Sequence, residues 1–299
     1  MPKKMSNSQV TTKGSKKVKS NGRIDELKKL RDQLEKVDLS RTSRFNHHHV
    51  EFSSFASWCK SIKDVKDIDK ARSVLYFGFQ PLYDALINDR NLDGRRHLAV
   101  EACDRIVTTG TEFLTGYYLG QPNVKLVNEL GSDLKDHMEK IDDSEFRIKF
   151  RNVDYNGITP EGILSFLKQF VDYSLKDGSF IPDYVVGCAC GSSEVVMPLA
   201  GIFGSDIGFI RRSYRRGDDD PIIVDEHEPI IKERTHDKNV ACVEDYICTS
   251  ASLRKVMQKV RSFHPSDVRG FSVNGREEFD YDYLKSDGRR HKFQAYKLR

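Results

Sequence analysis

The chain lacks any apolar run approaching the roughly 18–20 residues that a membrane helix needs, so no span is expected. Its basic first residues are not followed by the apolar stretch of a secretory signal, so none is expected either. Cysteine is sparse and scattered: Cys59, Cys103, Cys188, Cys190, Cys242 and Cys248 lie largely in apolar or glycine-rich surroundings, the pattern of buried thiols in a reducing compartment. The expected location is the cytoplasm. An excess of one charge is also missing. A net charge of +4 over 299 residues gives no reason to expect nucleic acid as a partner. What remains is a chain long enough to bury a large core, in one big domain or two ordinary ones.

Lys3, Lys4, Lys13, Lys16, Lys17, Lys19 and Arg23 precede the first acid, Asp25, amid Ser, Thr, Asn and Gly. Residues 1–22 are therefore expected to be a disordered basic arm, read as a solubilising tail in preference to a nucleic-acid or partner-binding arm. Residues 23–140 are expected to be a mostly helical N-terminal region. Ile24, Leu27, Leu30, Leu34 and Val37 recur at helical spacing, and similar periods continue from Phe52, with breaks expected at Gln80-Pro81, residues 91–94 and Gly120-Gln121-Pro122. His47, His48 and His49 point in different directions as neighbours and have no Cys or carboxylate partner at ligand spacing, so a surface loop is expected, not a metal site. Thr108-Thr109-Gly110-Thr111 follows a helical pattern and is read as core helix.

The period changes in residues 141–299. Residues 145–150 alternate as a strand does, Asn156-Gly157 is a turn, and Thr159-Pro160-Glu161 starts a helix ending at Asp177-Gly178. Strand patterns at 184–187, 207–210 and 239–243 alternate with a helical pattern at 195–202, which predicts an α/β fold, a parallel sheet flanked by helices.

The chemistry is concentrated in residues 240–253. Val240 to Val243 lead into the adjacent acids Glu244 and Asp245, then a small, hydroxyl-rich run, then an amphipathic continuation from Leu253: a buried strand, a tight loop and a helix start. A helix N-terminus presents unpaired N–H groups and the positive end of the peptide dipoles, so it can hold a phosphate with help from the Thr249, Ser250 and Ser252 hydroxyls. Glu244 and Asp245 would repel that phosphate if they faced it, and are assigned instead to a neighbouring polyol such as the 2′ and 3′ hydroxyls of a ribose. A second loop, residues 187–194, places glycine and serine between a strand and a helix, where N–H groups face an anion.

In order and spacing, residues 242–252 resemble the signature with which type I phosphoribosyltransferases bind 5-phosphoribosyl 1-diphosphate (PRPP). Cys248 stands at the family's first Thr and Ser250 at its Gly. The loop bearing Cys190, Gly191, Ser192 and Ser193 falls at the place of the family's pyrophosphate loop. It holds no Lys or Arg, so pyrophosphate contact would rest on backbone and hydroxyls. Arg211, Arg212, Arg215 and Arg216, at a strand end before Gly217 and Asp218 to Asp220, resemble the loop that closes over PRPP. Arginine's planar fork suits phosphate oxygens. Arg211 and Arg212 are expected nearer the diphosphate, while Arg215 and Arg216 either join them or neutralise the aspartates.

The resemblance implies a Mg-dependent pentosyltransferase of nucleotide metabolism, moving 5-phosphoribosyl from PRPP to an unidentified, nucleobase-like acceptor with release of pyrophosphate. Catalytic roles are implied for Arg211, Arg212 and Asp245. PRPP binding is implied for Glu244, Asp245, Cys248, Thr249, Ser250, Ala251, Ser252, Cys190, Gly191, Ser192, Ser193, Arg215 and Arg216. Mg2+ is expected to arrive with PRPP, no dedicated metal site is assigned, and Asp225 to Glu228 are read as a solvated loop. The acceptor would lie under a hood formed by residues 145–158 or 267–299. Two other readings stay open. One is a non-catalytic PRPP or nucleotide sensor, suggested by Ser250 and the loop without a cation. The other is a bacterial defence or toxin effector whose helical region docks a protein partner. A homodimer is a further option.

Overall fold

The computed structural model describes residues 14–39, 55–88, 92, 94–140, 159–177, 180–188, 190–212, 220–247, 251–275, 279–284 and 290–297. Helices α1 (Gly14–Glu35), α2 (Phe55–Lys60), α3 (Ile68–Asn88), α4 (Arg96–Tyr118), α5 (Val124–Asp133), α6 (Lys135–Lys140) and α7 (Pro160–Asp177) precede the first strand among the described residues. Helix α1 begins inside the segment expected to be a disordered arm. The expected break at Gln80-Pro81 is corrected: α3 runs through Pro81, because almost every residue from Ala71 to Leu86 is buried and that packing outweighs the backbone hydrogen bond the proline removes. The other two breaks hold, with Gly94 and Gly120 at positive φ. Thr108 to Thr111 lie within α4, and Thr159 Oγ1 accepts the Gly162 N–H at 3.1 Å at the start of α7. Among the described residues no helix is long and apolar enough to cross a membrane.

Strands β1 (Tyr184–Cys188), β2 (Asp206–Ile210), β3 (Asn239–Ile247), β4 (Asp267–Gly275), β5 (Phe279–Leu284) and β6 (Arg290–Lys297) form one sheet in the order β2-β1-β3-β4-β6-β5. All pairings are parallel except that of the edge strand β5 with β6. Helices α8 (Ser193–Phe203), α9 (Glu228–Thr235) and α10 (Ala251–Arg261) connect β1 to β2, β2 to β3 and β3 to β4. The expectation that 267–299 stands outside the sheet as a hood is corrected, since its three strands continue the sheet. The other proposed hood segment, the strand at 145–150 and the histidines at 47–49 lie outside the described residues.

Alternation along the strands explains why they read as continuous apolar runs. Val185, Phe209, Ala241, Val243 and Phe271 enter one core with α7, α8 and the N-terminal helices, whereas Tyr184, Val186, Cys188, Ile210, Val240 and Cys242 enter a second with Ile231 of α9 and four apolar residues of α10. The helical region and the sheet therefore share the first core, which extends from Leu27 to Phe271. Helices α4 and α8 approach closely enough that a Cβ on Gly201 would lie 1.9 Å from Thr115 Oγ1. Gly201→Ala is expected to force them apart and destabilise the protein by about 1–3 kcal/mol, read as a lower denaturation midpoint in urea. An unchanged midpoint would show that this contact yields without cost.

Candidate functional site

The strand order places β1 between β2 and β3, so the connections leaving β1 and β3 run in opposite directions and open a crevice at the carboxyl ends of these strands, where ligands of open parallel sheets bind. The heads of α8 and α10 both stand at this edge. Ser192 occupies the cap position of α8 but its side chain does not cap the helix, and the buried hydroxyl of Ser193 has no hydrogen-bond partner among the described residues. The head of α8 and the Ser193 hydroxyl thus stand at the same edge as the glycine loop.

The two adjacent acids part company. Asp245 lies against the glycine loop: a Cβ on Gly191 would come 2.8 Å from its Oδ2 and 3.3 Å from its Cγ. Glu244 turns to α10, accepting a hydrogen bond from the Leu253 N–H. Its carboxyl is pushed up from the ordinary 4.5 to about 8, chiefly by burial and then by the Asp245 charge, while the Leu253 N–H and Arg212 act the other way. At neutral pH Glu244 therefore keeps its proton and carries no negative charge at the head of α10. Successive residues of a strand face opposite ways, which explains why neighbours in sequence serve different halves of the crevice. Burial pushes the Cys188 thiol well up, with Glu244, Cys242 and Asp245 adding to the effect, so it stays protonated beneath them.

Of Arg211, Arg212, Arg215 and Arg216, the two among the described residues also diverge. Arg212 is buried and donates from Nη1 to Ser252 Oγ at 3.4 Å, on the α10 side and near Glu244. Arg211 is equally buried, but bonds Asp84 Oδ1 at 3.0 Å and Asn88 Oδ1 at 3.4 Å. It fastens the end of β2 to α3, a structural duty that the expected approach to a diphosphate left out. Glu226 and His227, read as solvated, also reach the helical region: Arg96 bonds Glu226 at 2.7 and 3.0 Å, and His227 Nε2 lies 3.0 Å from Asp104.

Behind the glycine loop sits a cluster that sequence reasoning missed. Glu194 of α8 accepts from Arg72 Nε at 2.8 Å, from Arg72 Nη2, and from the Tyr118 hydroxyl at 3.3 Å. Burial opposes the charge on Arg72, yet Glu194 beside it holds the guanidinium pKa above its ordinary value. The one available signal was an acid at the very start of an otherwise apolar helix, where a buried cationic partner is required.

The structure thus brings Gly191, Asp245, Glu244, Ser252 and Arg212 to one edge, with Ser192, Ser193 and Ala251 on its helix heads. Cys248, Thr249, Ser250, Arg215, Arg216 and the side chain of Cys190 lie outside the described residues. No family model matches the sequence. No curated protein matches it. Among solved structures, a purine phosphoribosyltransferase from Pyrococcus horikoshii Ot3 is similar over 38% of this chain and 70% of that chain, at 20% identity and a TM-score of 0.29. The hypoxanthine phosphoribosyltransferase of Trypanosoma cruzi is similar over 46% of this chain and 91% of that chain, at 14% identity and a TM-score of 0.28.

Proposed function

We propose that this crevice binds PRPP and transfers its 5-phosphoribosyl group to a nucleobase-like acceptor, releasing pyrophosphate. The observation that carries the reading is the contact of Asp245 with Gly191, which joins the acid pair of β3 and the glycine loop of β1 into one site. The backbone N–H groups heading α10 other than that of Leu253, with Ser252 and Arg212, receive the 5-phosphate. Asp245 takes the ribose hydroxyls, and the uncapped head of α8 with the Ser193 hydroxyl receives the diphosphate.

Breaking the bond from C1 to the diphosphate builds oxocarbenium character on the sugar and charge on the leaving group, so the site's work is to hold three groups still and to stabilise that charge. No side-chain nucleophile is required, and the protonated Cys188 offers none. The carboxylate oxygens of Asp245 suit a hard dication, which when bound would neutralise the departing charge; the protonated Glu244 is not counted among its ligands.

The test is incubation with PRPP, magnesium and a panel of purine and pyrimidine bases, following pyrophosphate release, with calorimetry of PRPP binding alongside. Base-dependent release supports transfer. Tight PRPP binding without turnover would replace it with the sensing reading, and absence of PRPP binding would overturn both.

A further inference from the structure

We propose that Arg72 is a positioning residue for the diphosphate half of this site, acting from α3 through Glu194. The inference rests on the phosphoribosyl reading above and adds that the helical N-terminal region shapes the binding loop. Glu194 is the second residue of α8, which follows directly on the Cys190–Ser192 turn, and is 6% exposed. Three donors from α3 and α4 converge on its Oε1: Nε and Nη2 of Arg72 and the hydroxyl of Tyr118. Arg72 is itself held, bonding Asp69 Oδ1 at 3.2 Å with its guanidinium carbon 4.9 Å from the centre of the Tyr117 ring.

A carboxylate gripped by three donors in a dry interior cannot shift without leaving a buried charge unpaired, so the first turn of α8 is fixed in place. That turn needs the support. Pro198 has no N–H to return to the Glu194 carbonyl four residues earlier, so α8 lacks one of its own hydrogen bonds at this point. The head that receives the diphosphate is held by a clamp from outside the sheet.

Calorimetric titration of the full chain with PRPP and magnesium, and separately with ribose 5-phosphate, tests this. Arg72→Lys keeps the charge but loses the planar fork. Tyr118→Phe removes one donor and keeps the ion pair. Arg72→Lys is expected to raise the Kd for PRPP on the order of ten- to a hundredfold, and Tyr118→Phe by a smaller factor in the same direction, while ribose 5-phosphate, which does not use the α8 head, changes less than about twofold. Equal losses for both ligands would reduce the clamp to a general structural contact and overturn the proposal. So would unchanged PRPP affinity in the variants when the wild-type protein binds PRPP. If Arg72→Lys fails to fold, Tyr118→Phe decides alone. A wild-type protein that binds neither ligand would overturn the phosphoribosyl reading, and this inference with it.

Discussion

Gly191→Ala is expected to lower PRPP affinity, and with it pyrophosphate release, by about a hundredfold while leaving the unfolding midpoint unchanged. The residue sits in a short 3₁₀ turn without a positive φ, so the backbone accepts alanine. The new methyl carbon, however, would lie 2.8 Å from Asp245 Oδ2, and either the carboxylate or the loop must move. Both are parts of the proposed site, and a displacement approaching 1 Å at groups that orient a reacting sugar is costly in rate. Gly22→Ala is the control, since nothing lies within 4 Å of the added carbon and neither ligand affinity nor release should change. Full activity in Gly191→Ala would show that the contact between acid and glycine loop is not part of the working site.

The second large effect is on stability. The folded protein holds the Glu244 proton up to about pH 8, whereas in the unfolded chain the group titrates near its ordinary 4.5. Between those values the native state binds the additional proton, so this group's contribution makes stability fall as pH rises through the window, with no penalty below it and the full penalty above. Glu244→Gln keeps the shape, and its amide oxygen still accepts from the Leu253 N–H, but it cannot ionise. The variant should match the wild type at about pH 5 and exceed it by on the order of 2–4 kcal/mol at about pH 9 in urea unfolding. A difference between the two proteins that does not vary with pH would rule out the protonated acid.

Much of the α/β region was legible because its signals are local. Apolar runs such as Tyr184 to Val186, and Val240 to Val243, fit strands covered on both faces, and alternation with helical patterns fits parallel pairing. The acid pair, followed within a few residues by hydroxyls and a helix start, is a short-range arrangement that any fold of that segment would keep together. Pro81 shows the limit of such signals. Its local effect is to break a helix, and only the burial of nearly every residue of α3 from Ala71 to Leu86 reverses that.

Strand, loop and helix succession, and the presence of a glycine-and-serine loop and an acid-and-hydroxyl loop at two strand ends, were thus decided by the order of residues, since each depends on neighbours along the chain. Which charges meet was decided only by folding. Arg72 and Glu194 are 122 residues apart and Arg211 and Asp84 127 apart, and nothing along the chain pairs either couple; Arg211 was expected at a diphosphate instead. Packing α3 against α8 and the end of β2 removes the water around these groups, and a buried charge must then find its opposite wherever the tertiary structure has placed it.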